Sequence, residues 1–356
     1  MIRIDEIYDS IFVPWALPRD RTGIHWFDPF GSTRYADLVN RPQVGGPGCT
    51  RYLFWDQEPI ELESLATLAQ FREEYWGNQH LITSEKNSKL AREVCEKYGW
   101  QQHYYFFHGW AALDWYRGYD RSLLIQPPGE RRITKTFIAA NRIVGGRRQH
   151  RLKMLYYIFK YNLKNNYVSC PETCPVENQP TVQLAAQLSD VIYPAAQETF
   201  AAEALPLNMP GETGHPMHSC WLSLFQESAE SLLYLVTETV ADGERLHLTE
   251  KTFKPIALQM PFIIVGTPGS LEYLRSYGFR TFDLIWNESY DQIADQDDRI
   301  QAIADLLKQL DSLTPREQQA LYASAQDIVV HNYQHFYSGA FEQILWQELC
   351  SMLAEF

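Results

Sequence analysis

Short apolar runs alternate with helical stretches along most of this chain, and this alternation constrains its fold more than any other feature. In the first third, RYLFWDQEP has the composition of a strand that ends in a polar loop, and IELESLATLAQFREEYW has helical periodicity. HLITSEKNSKLAREVCEKYGW predicts a strand followed by a helix capped by Ser84 or Asn87, and HYYFFHGW predicts another short strand. Strands that alternate with helices predict a parallel sheet.

A second set of alternating elements begins after residue 130. KTFIAANR predicts a strand that runs into a turn at Gly145-Gly146, and RRQHRLKMLYYIFKYNL predicts the helix that follows. SLLYLVTETV and PFIIVGTP predict two strands with LTEKTFKPIALQM as a helix between them, which is the pattern of a parallel βαβ unit. From Ser312 onward, the sequence predicts amphipathic helices.

The length of 356 residues is typical of two α/β domains. Paired prolines and a glycine in SLLIQPPGERR mark a break between the two sets of elements. We therefore predict an N-terminal domain over 1–130, a C-terminal domain over 131–335 and a final helix over 336–356.

Three features of the sequence predict the cellular location of the protein. No stretch has enough uninterrupted apolar residues to span a membrane, and MIRIDEIYDS places acidic residues where a signal peptide has a basic segment. The six cysteines are scattered, which favours reduced thiols over disulfides or a zinc site. We therefore expect a cytoplasmic protein without a membrane span.

The charge of the chain is unevenly distributed. The chain has 31 basic and 44 acidic residues, yet ten of the basic residues lie between Arg131 and Pro171, where there is no Asp or Glu. Such a segment is either a solvated helix face or an anion site. The overall acidity disfavours a protein that coats nucleic acid, because phosphate neutralisation needs clustered Lys and Arg.

Three loops follow strands of the second domain, at the edge where open parallel sheets bind ligands. The first runs from Asn141 to Arg151 and combines two glycines with several arginines at a helix start, which favours anion binding. The second loop links Glu238 and Thr239 to a helix that Thr249 is predicted to cap. The carboxylate of Glu250 can accept hydrogen bonds from a ribose diol, and Lys251 can counter a diphosphate; a helix-dipole glutamate and a surface lysine are the alternatives. The third loop, 266–270, is a tight turn that could merely connect its neighbours.

In this order, the segments AANRIVGGRRQHR, LVTETVADGERLHLTEKTFKPIALQM and PFIIVGTPGSLEYL resemble the C-terminal half of the α1,3/4-fucosyltransferase family over most of residues 133–285. The resemblance implies a GT-B fold, in which two Rossmann-like parallel-sheet domains face a cleft and the C-terminal helices pack back toward the first domain. The chain is also similar to phage and bacterial glycosyltransferase-like proteins. The chain departs from the family at Thr239 and His247, and no fucose-specific residue is identifiable.

The resemblance implies a glycosyltransferase that moves a hexose or pentose from a nucleotide-sugar, such as a UDP- or GDP-sugar, to an acceptor hydroxyl. Fixed cations can stabilise the leaving diphosphate, so we expect no metal and no other cofactor. In this hypothesis Arg147, with Arg142 or Arg148, and Lys251 hold the diphosphate, while Glu250 binds the ribose. The predicted donor-binding residues are Asn141, Arg142, Arg147, Arg148, Glu238, Thr239, Thr249, Glu250 and Lys251.

The first domain is predicted to bind the acceptor and to supply the base. An acceptor hydroxyl is a weak acid, so a carboxylate must take its proton in the transition state. The resemblance implies a glutamate base after a strand, and Glu58, at the end of RYLFWDQEP, is the residue that matches it. Asp56, His108 and Asp114 are in reserve for this role, and His108 and Asp114 are also the predicted acceptor-binding residues. A single displacement with inversion is the expected reaction. Glu58 could instead be an N-terminal helix carboxylate.

Several alternatives stay open from the sequence. The acceptor could be a glycan, a small molecule or, as in some phage GT-B enzymes, a modified DNA base. The chain could also be a non-catalytic nucleotide-binding or assembly module. The aromatic run HYYFFHGWAALDWY could stack on an acceptor or simply fill the core. The acidic run Asp295-Gln296-Asp297-Asp298 has the spacing of a metal motif, but no strand precedes it.

Overall fold

The computed structural model describes residues 3, 6–12, 24–25, 51–60, 79–188, 192–212 and 221–355. The chain forms two compact units. Unit 1 contains Met1–Asp114, Gly243–His247 and Gly339–Phe356, and unit 2 contains Trp115–Asp242 and Leu248–Ser338. Each unit holds one parallel sheet, so the predicted α/β class with two parallel-sheet domains is confirmed.

Unit 1 is built on a sheet of order β1-β2-β3-β4, in which every pairing is parallel. A π-helical turn, Ile7–Phe12, precedes the sheet. Among the described residues of this unit, the strands and helices are β1 Ile24–His25, β2 Arg51–Trp55, β3 Gln79–Thr83, α1 Lys89–Tyr98, β4 Gln101–Tyr104, α2 Phe107–Trp115 and, near the end of the chain, α12 Ala340–Ala354. Trp55, Leu81 and Val94 meet in a core between the sheet and α1.

Two local predictions for unit 1 are wrong. Helix α1 is capped by Ser88, whose hydroxyl accepts a hydrogen bond from the Ala91 amide, and not by Ser84 or Asn87. Asn87 has a φ of 56° and lies in the turn before the cap. The run HYYFFHGW is a strand only as far as Tyr104, because its second half begins α2.

The C-terminal helix α12 packs against α2 within unit 1. The rings of Trp110 and Trp346 meet edge to face with centroids 4.9 Å apart. A Cβ atom at Gly109 would lie 3.0 Å from the Leu345 side chain, so the absence of a side chain there lets the two helices approach closely. The predicted return of the last helix to the first domain is therefore confirmed.

Unit 2 is built on a sheet of order β10-β9-β5-β6, again parallel throughout. Its strands are β5 Lys135–Ala139, β6 Tyr167–Val168, β9 Ser231–Thr237 and β10 Phe262–Val265, and a separate antiparallel pair is formed by β7 Thr173–Cys174 and β8 Gln179–Pro180. Every residue of β9 and β10 is buried, as continuous apolar runs in a covered parallel sheet require.

The helices of unit 2 include the predicted helix between β9 and β10. They are α3 Gln149–Lys160, α4 Thr181–Ala186, α5 Ala196–Ala201, α6 Phe225–Glu230, α7 Glu250–Ala257, α8 Ser270–Ser276, α9 Gln296–Asp311, α10 Pro315–Ser324 and α11 Gln326–Tyr337. The predicted βαβ unit is thus confirmed as β9-α7-β10.

The chain enters unit 2 at Trp115, earlier than the sequence break in SLLIQPPGERR. The connecting segment packs within unit 2, where the Tyr116 hydroxyl donates to the Glu250 carbonyl at 3.1 Å and the rings of Tyr119 and Phe225 stack. The predicted helix IELESLATLAQFREEYW lies, beyond its first residue, outside the described residues. Within the described part of the chain, none of the helices has the length and apolar character that crossing a membrane requires.

Candidate functional site

A buried carboxylate organises the carboxyl end of the unit 2 sheet. Glu238, directly after β9, has no solvent exposure. Its Oε1 accepts from the Thr249 amide at 3.0 Å and the Thr252 hydroxyl at 2.6 Å, and its Oε2 accepts from the Thr249 hydroxyl at 2.5 Å and the Thr239 amide at 3.2 Å. Both oxygens of Glu238, a predicted donor contact, are therefore engaged by the first turn of α7.

This first turn presents the predicted Thr-Glu-Lys residues. Thr249 is the N-cap of α7 as predicted, and its hydroxyl accepts a hydrogen bond from the Lys251 amide. The Lys251 ammonium lies 2.9 Å from Glu250 Oε1 and donates to the hydroxyls of Thr239 and Thr249 at 3.1 and 3.2 Å. Glu250 is buried, whereas the Lys251 side chain keeps 30% of its exposure. A cation supported from three sides thus remains accessible at a helix N-terminus.

Asn141 connects the end of β9 to residues at the ends of the neighbouring strands. It lies just beyond β5, is buried, and accepts a hydrogen bond from the Thr237 hydroxyl at 3.0 Å through Oδ1. The backbone amide of Asn141 donates to the hydroxyl of Ser169, which lies just beyond the end of β6, at 2.8 Å. The carboxyl ends of β6, β5 and β9 are therefore tied together by side chains.

The start of α3 holds the carbonyls at the end of β9. His150 Nε2 lies 2.8 Å from the Glu238 carbonyl, and the Arg151 guanidinium donates to the carbonyls of Thr237 and Glu238. Burial, reinforced by the Arg151 charge, lowers the pKa of His150 to about 3. Burial also lowers the pKa of Arg151 to about 10. His150 is therefore a neutral Nε2–H donor, and Arg151 is a structural cation.

The loop between β5 and α3 carries the remaining predicted anion contacts. Gly146 has a φ of 57°, and a Cβ atom there would lie 2.4 Å from a carboxylate oxygen of Glu177, so the loop needs glycine at this position. Arg142 and Arg148 are half-buried and Arg147 is exposed. Arg148 acts electrostatically on Arg151, and so does Glu250. The arginine loop and the α7 turn therefore lie within electrostatic reach of the same buried side chain.

The basic segment is not one anion site, because many of its charges have structural partners. The Arg131 guanidinium is buried and donates to the carbonyls of Gln126, Leu258 and Gln259. Other members have acidic, carbonyl or aromatic partners within unit 2: Lys135 with Asn165, Lys153 with Asp297, Lys160 with Tyr156 and Lys164 with Glu203.

The loop after β10 has its own buried carboxylate. Both oxygens of Asp291 lie 3.2 Å from the Leu271 amide in the first turn of α8, and the Asp291 carbonyl accepts from Gly269. Burial raises the pKa of Asp291 to about 6. Helix α8 begins at Ser270, the last residue of the tight turn predicted over 266–270.

In unit 1, the predicted base lies on a turn that is hydrogen-bonded at several points. Glu58, two residues beyond Asp56 in the turn after β2, is half-buried. Around it, the Trp55 indole donates to the Pro59 carbonyl at 3.2 Å and His108 Nε2 lies 2.9 Å from the Gln57 carbonyl. Glu58 therefore projects from a turn whose backbone is fixed by neighbouring side chains.

The other predicted unit 1 residues have different surroundings. Asp56 is buried and accepts a hydrogen bond from the Tyr105 hydroxyl at 2.5 Å. His108 is buried in the first turn of α2 and meets the ring of His247 edge to face, with centroids 5.0 Å apart. Asp114 is half-buried near the end of α2. His108 thus lies beside the Glu58 turn and can orient it through Gln57.

The aromatic run and the acidic run that the sequence analysis singled out have structural roles. In the aromatic run, Tyr105, Phe106, Phe107, Trp110 and Tyr116 are buried core residues. The Asp295 carboxylate caps α9 by accepting from the amides of Asp297 and Asp298. Among the described residues, no group of three His, Cys, Asp or Glu side chains is arranged to hold a metal ion.

Sequence reasoning missed the residues that organise the site from behind. His150 and Arg151 were visible only as part of a basic segment, and Thr252 only as a helix residue. The recurrence of threonine one turn apart in Thr249-Glu-Lys-Thr252 was an available signal, because both hydroxyls reach the same carboxylate.

Comparisons with known proteins add little beyond the likeness of two solved structures. No protein-family profile matches the chain, and no curated protein matches it. T4 phage BGT in complex with its UDP-glucose substrate is similar at 14% identity and a TM-score of 0.41, over 84% of this chain and 74% of that one. The DNA-modifying enzyme β-glucosyltransferase, described with the substrate uridine diphosphoglucose, is similar at 11% identity and a TM-score of 0.34, over 82% of this chain and 74% of that one. These TM-scores are too low to support an argument about function, and the resemblance to fucosyltransferases is not confirmed.

Proposed function

We propose that the protein is a GT-B glycosyltransferase that moves a sugar from a nucleoside-diphosphate sugar to an acceptor hydroxyl. The observation that carries this proposal is the first turn of α7 in unit 2, where Glu238 holds Thr249 and Thr252 and where the accessible Lys251 is paired with the buried Glu250. Capping of α7 by Thr249 does not require a lysine whose ammonium is held by Glu250, Thr239 and Thr249.

The residues have complementary tasks in this proposal. Lys251 and the arginines of the β5–α3 loop, Arg142, Arg147 and Arg148, bind the diphosphate. Asn141 and Thr239 line the same end of the sheet, and Glu250 binds the ribose hydroxyls. Because fixed cations neutralise the leaving group, the proposed transfer requires no metal.

The proposed reaction is a single displacement. Glu58 takes the proton of the acceptor hydroxyl while that oxygen forms its bond to the anomeric carbon. The bond from this carbon to the diphosphate breaks, and the nucleoside diphosphate leaves with the electron pair. Attack from the face opposite the leaving group inverts the anomeric configuration.

A glycan or a small molecule is the favoured acceptor. The basic segment would be the contact for duplex DNA, but Arg131, Arg151 and Lys153 are held inside unit 2. Few of its charges therefore remain to neutralise DNA phosphates. Sugar transfer to a hydroxyl-bearing modified base in duplex DNA, rather than to glycans, would identify the DNA alternative.

Nucleotide binding by the whole protein tests the proposal. We expect UDP or GDP to raise the melting temperature, because a ligand that binds only the folded state at 100 times its Kd adds about 2.7 kcal/mol of stability. Lys251→Met is expected to weaken diphosphate binding by about 10- to 100-fold, since a charge-assisted hydrogen bond contributes on the order of 1.5–3 kcal/mol.

Lys254→Met is the matched control, because Lys254 lies on the same helix and is also half-buried. It should bind the nucleotide as the wild-type protein does. A protein that binds neither UDP, GDP nor CMP contradicts the proposal. Nucleotide binding without sugar transfer or donor hydrolysis would instead support the assembly-module alternative.

A further inference from the structure

The segment Gly243–His247, which we call the strap, leaves unit 2 for a short stretch of the chain. The residues before it, up to Asp242, belong to unit 2, and the chain returns to unit 2 at Leu248. The strap itself is part of unit 1. It therefore passes from unit 1 directly into the turn that carries Thr249, Glu250 and Lys251.

Backbone hydrogen bonds attach the strap to the turn between β3 and α1. The Lys86 amide donates to the Leu246 carbonyl at 2.9 Å, and the Leu246 amide donates back to the Lys86 carbonyl at 2.8 Å. The Lys89 amide adds a third bond, to the Glu244 carbonyl at 3.0 Å. These contacts make the strap a short antiparallel addition to unit 1.

An ion pair then links the strap to the turn that carries Glu58. Arg245 Nη1 lies 2.9 Å from Glu85 Oε1, and the two side chains are only 15% and 1% exposed. The same Glu85 oxygen accepts from the Ile60 amide at 2.8 Å, and Arg245 Nη1 also donates to the Ile60 carbonyl at 3.2 Å. Both backbone polar groups of Ile60, two residues after Glu58, are therefore held by this pair.

We propose that Arg245 is a positioning residue for the transfer reaction. Through Glu85 and Ile60, it fixes the turn that carries Glu58, the proposed base. This inference rests on the proposed function. Its consequence is that the loss of Arg245 leaves nucleotide binding intact but misplaces the base, so that water competes with the acceptor for the sugar.

The test measures three quantities on the full chain: nucleotide affinity, the rate of transfer, and the ratio of donor hydrolysis to transfer. For Arg245→Met we expect nucleotide affinity within about twofold of wild type and kcat lower by on the order of 10²-fold, the effect of a small misplacement of a reacting group. The hydrolysed fraction should rise. Arg245→Lys, which keeps the charge but not the forked geometry, should recover part of the rate.

Lys89→Ala is the control, because it removes an exposed ion pair from the same segment, Lys89 with Glu244 at 3.3 Å. It should behave as wild type. Arg245→Met leaves the buried Glu85 charge without its partner, so Arg245→Met/Glu85→Gln provides a second variant if the single one fails to fold. A wild-type kcat and hydrolysis ratio in either variant overturns the inference, and so does an equal loss of nucleotide affinity and kcat. A wild-type protein that binds no nucleotide refutes the proposed function instead.

Discussion

The geometry of the candidate site in unit 2 is set by a few buried residues. Glu238 accepts three hydrogen bonds from the first turn of α7 and a fourth from the Thr239 amide, and His150 and Arg151 contact its carbonyl oxygen. A carboxylate with fewer partners at this depth would cost several kcal/mol. The turn that carries the accessible Lys251 is therefore fixed in position by the hydrogen bonds of buried polar groups.

Because His150 is one of these buried groups, the folding stability of the protein depends on pH. The pKa of His150 is lowered to about 3 by burial and by Arg151, so the folded protein does not take up a proton that the unfolded chain binds below about pH 6.5. The contribution of neutral His150 is present above pH 6.5 and is lost as the pH falls toward 3. Between pH 7 and pH 5 this loss amounts to about 2 kcal/mol.

We expect His150→Gln to remove that pH dependence while an amide N–H still reaches the Glu238 carbonyl. Urea unfolding of both proteins at pH 7, 6 and 5 measures the effect. The gap in unfolding free energy should shift in favour of the variant by about 2 kcal/mol over this range. A constant gap would show that His150 does not titrate on unfolding in this way.

At the level of strands and helices, the sequence predicts what periodicity controls and misses what neighbours decide. β2, β5, β9 and β10 follow from apolar runs bounded by polar turns. HYYFFHGW becomes half helix, because a short apolar run fits a buried strand and a buried helix equally well. α2 is such a helix, with all residues from Phe107 to Leu113 buried.

The site shows the same division. The Thr-Glu-Lys turn and its Thr249 cap follow from local pattern, since capping depends on residues within one turn. The direction of the Glu238 carboxylate does not, because it is set by Thr249 and Thr252 later in the chain. Likewise, the Arg245–Glu85 pair joins residues that are distant in sequence, and neither belongs to a recognisable motif.

The turn after β2 allows a specific prediction about the base. Because its backbone is held by Trp55, His108 and Glu85, Glu58→Gln should remove the carboxylate without moving the turn. We expect kcat for transfer to fall by about 10²- to 10⁴-fold, with nucleotide affinity unchanged. Glu93→Gln, an exposed carboxylate on α1, is the control and should be fully active. Wild-type turnover by Glu58→Gln would exclude this residue as the base.

Considered as a whole, the chain does not divide into consecutive domains. It crosses between the units at Asp114, Asp242, His247 and Ser338, so unit 1 is completed only by the strap and by α12. Unit 1 therefore draws on three stretches of the chain and unit 2 on two, so neither unit could be produced as one continuous fragment.

Helix α12 provides the prediction that belongs to this scale. Leu345 is fully buried and packs closely over Gly109 of α2, and both residues belong to unit 1. Leu345→Ala should therefore destabilise unit 1 by about 2–5 kcal/mol, the usual cost of such a cavity. Because Leu345 and Gly109 both belong to unit 1, we expect the proposed nucleotide binding by unit 2 to survive at temperatures where transfer has already been lost. Gln347→Ala, on the exposed side of the same helix, should change neither property.

Calorimetry with and without nucleotide measures this effect. We expect Leu345→Ala to show an earlier, separate unfolding transition whose temperature nucleotide does not shift. A single transition whose temperature nucleotide raises as a whole would mean that the two units unfold together, which contradicts the prediction.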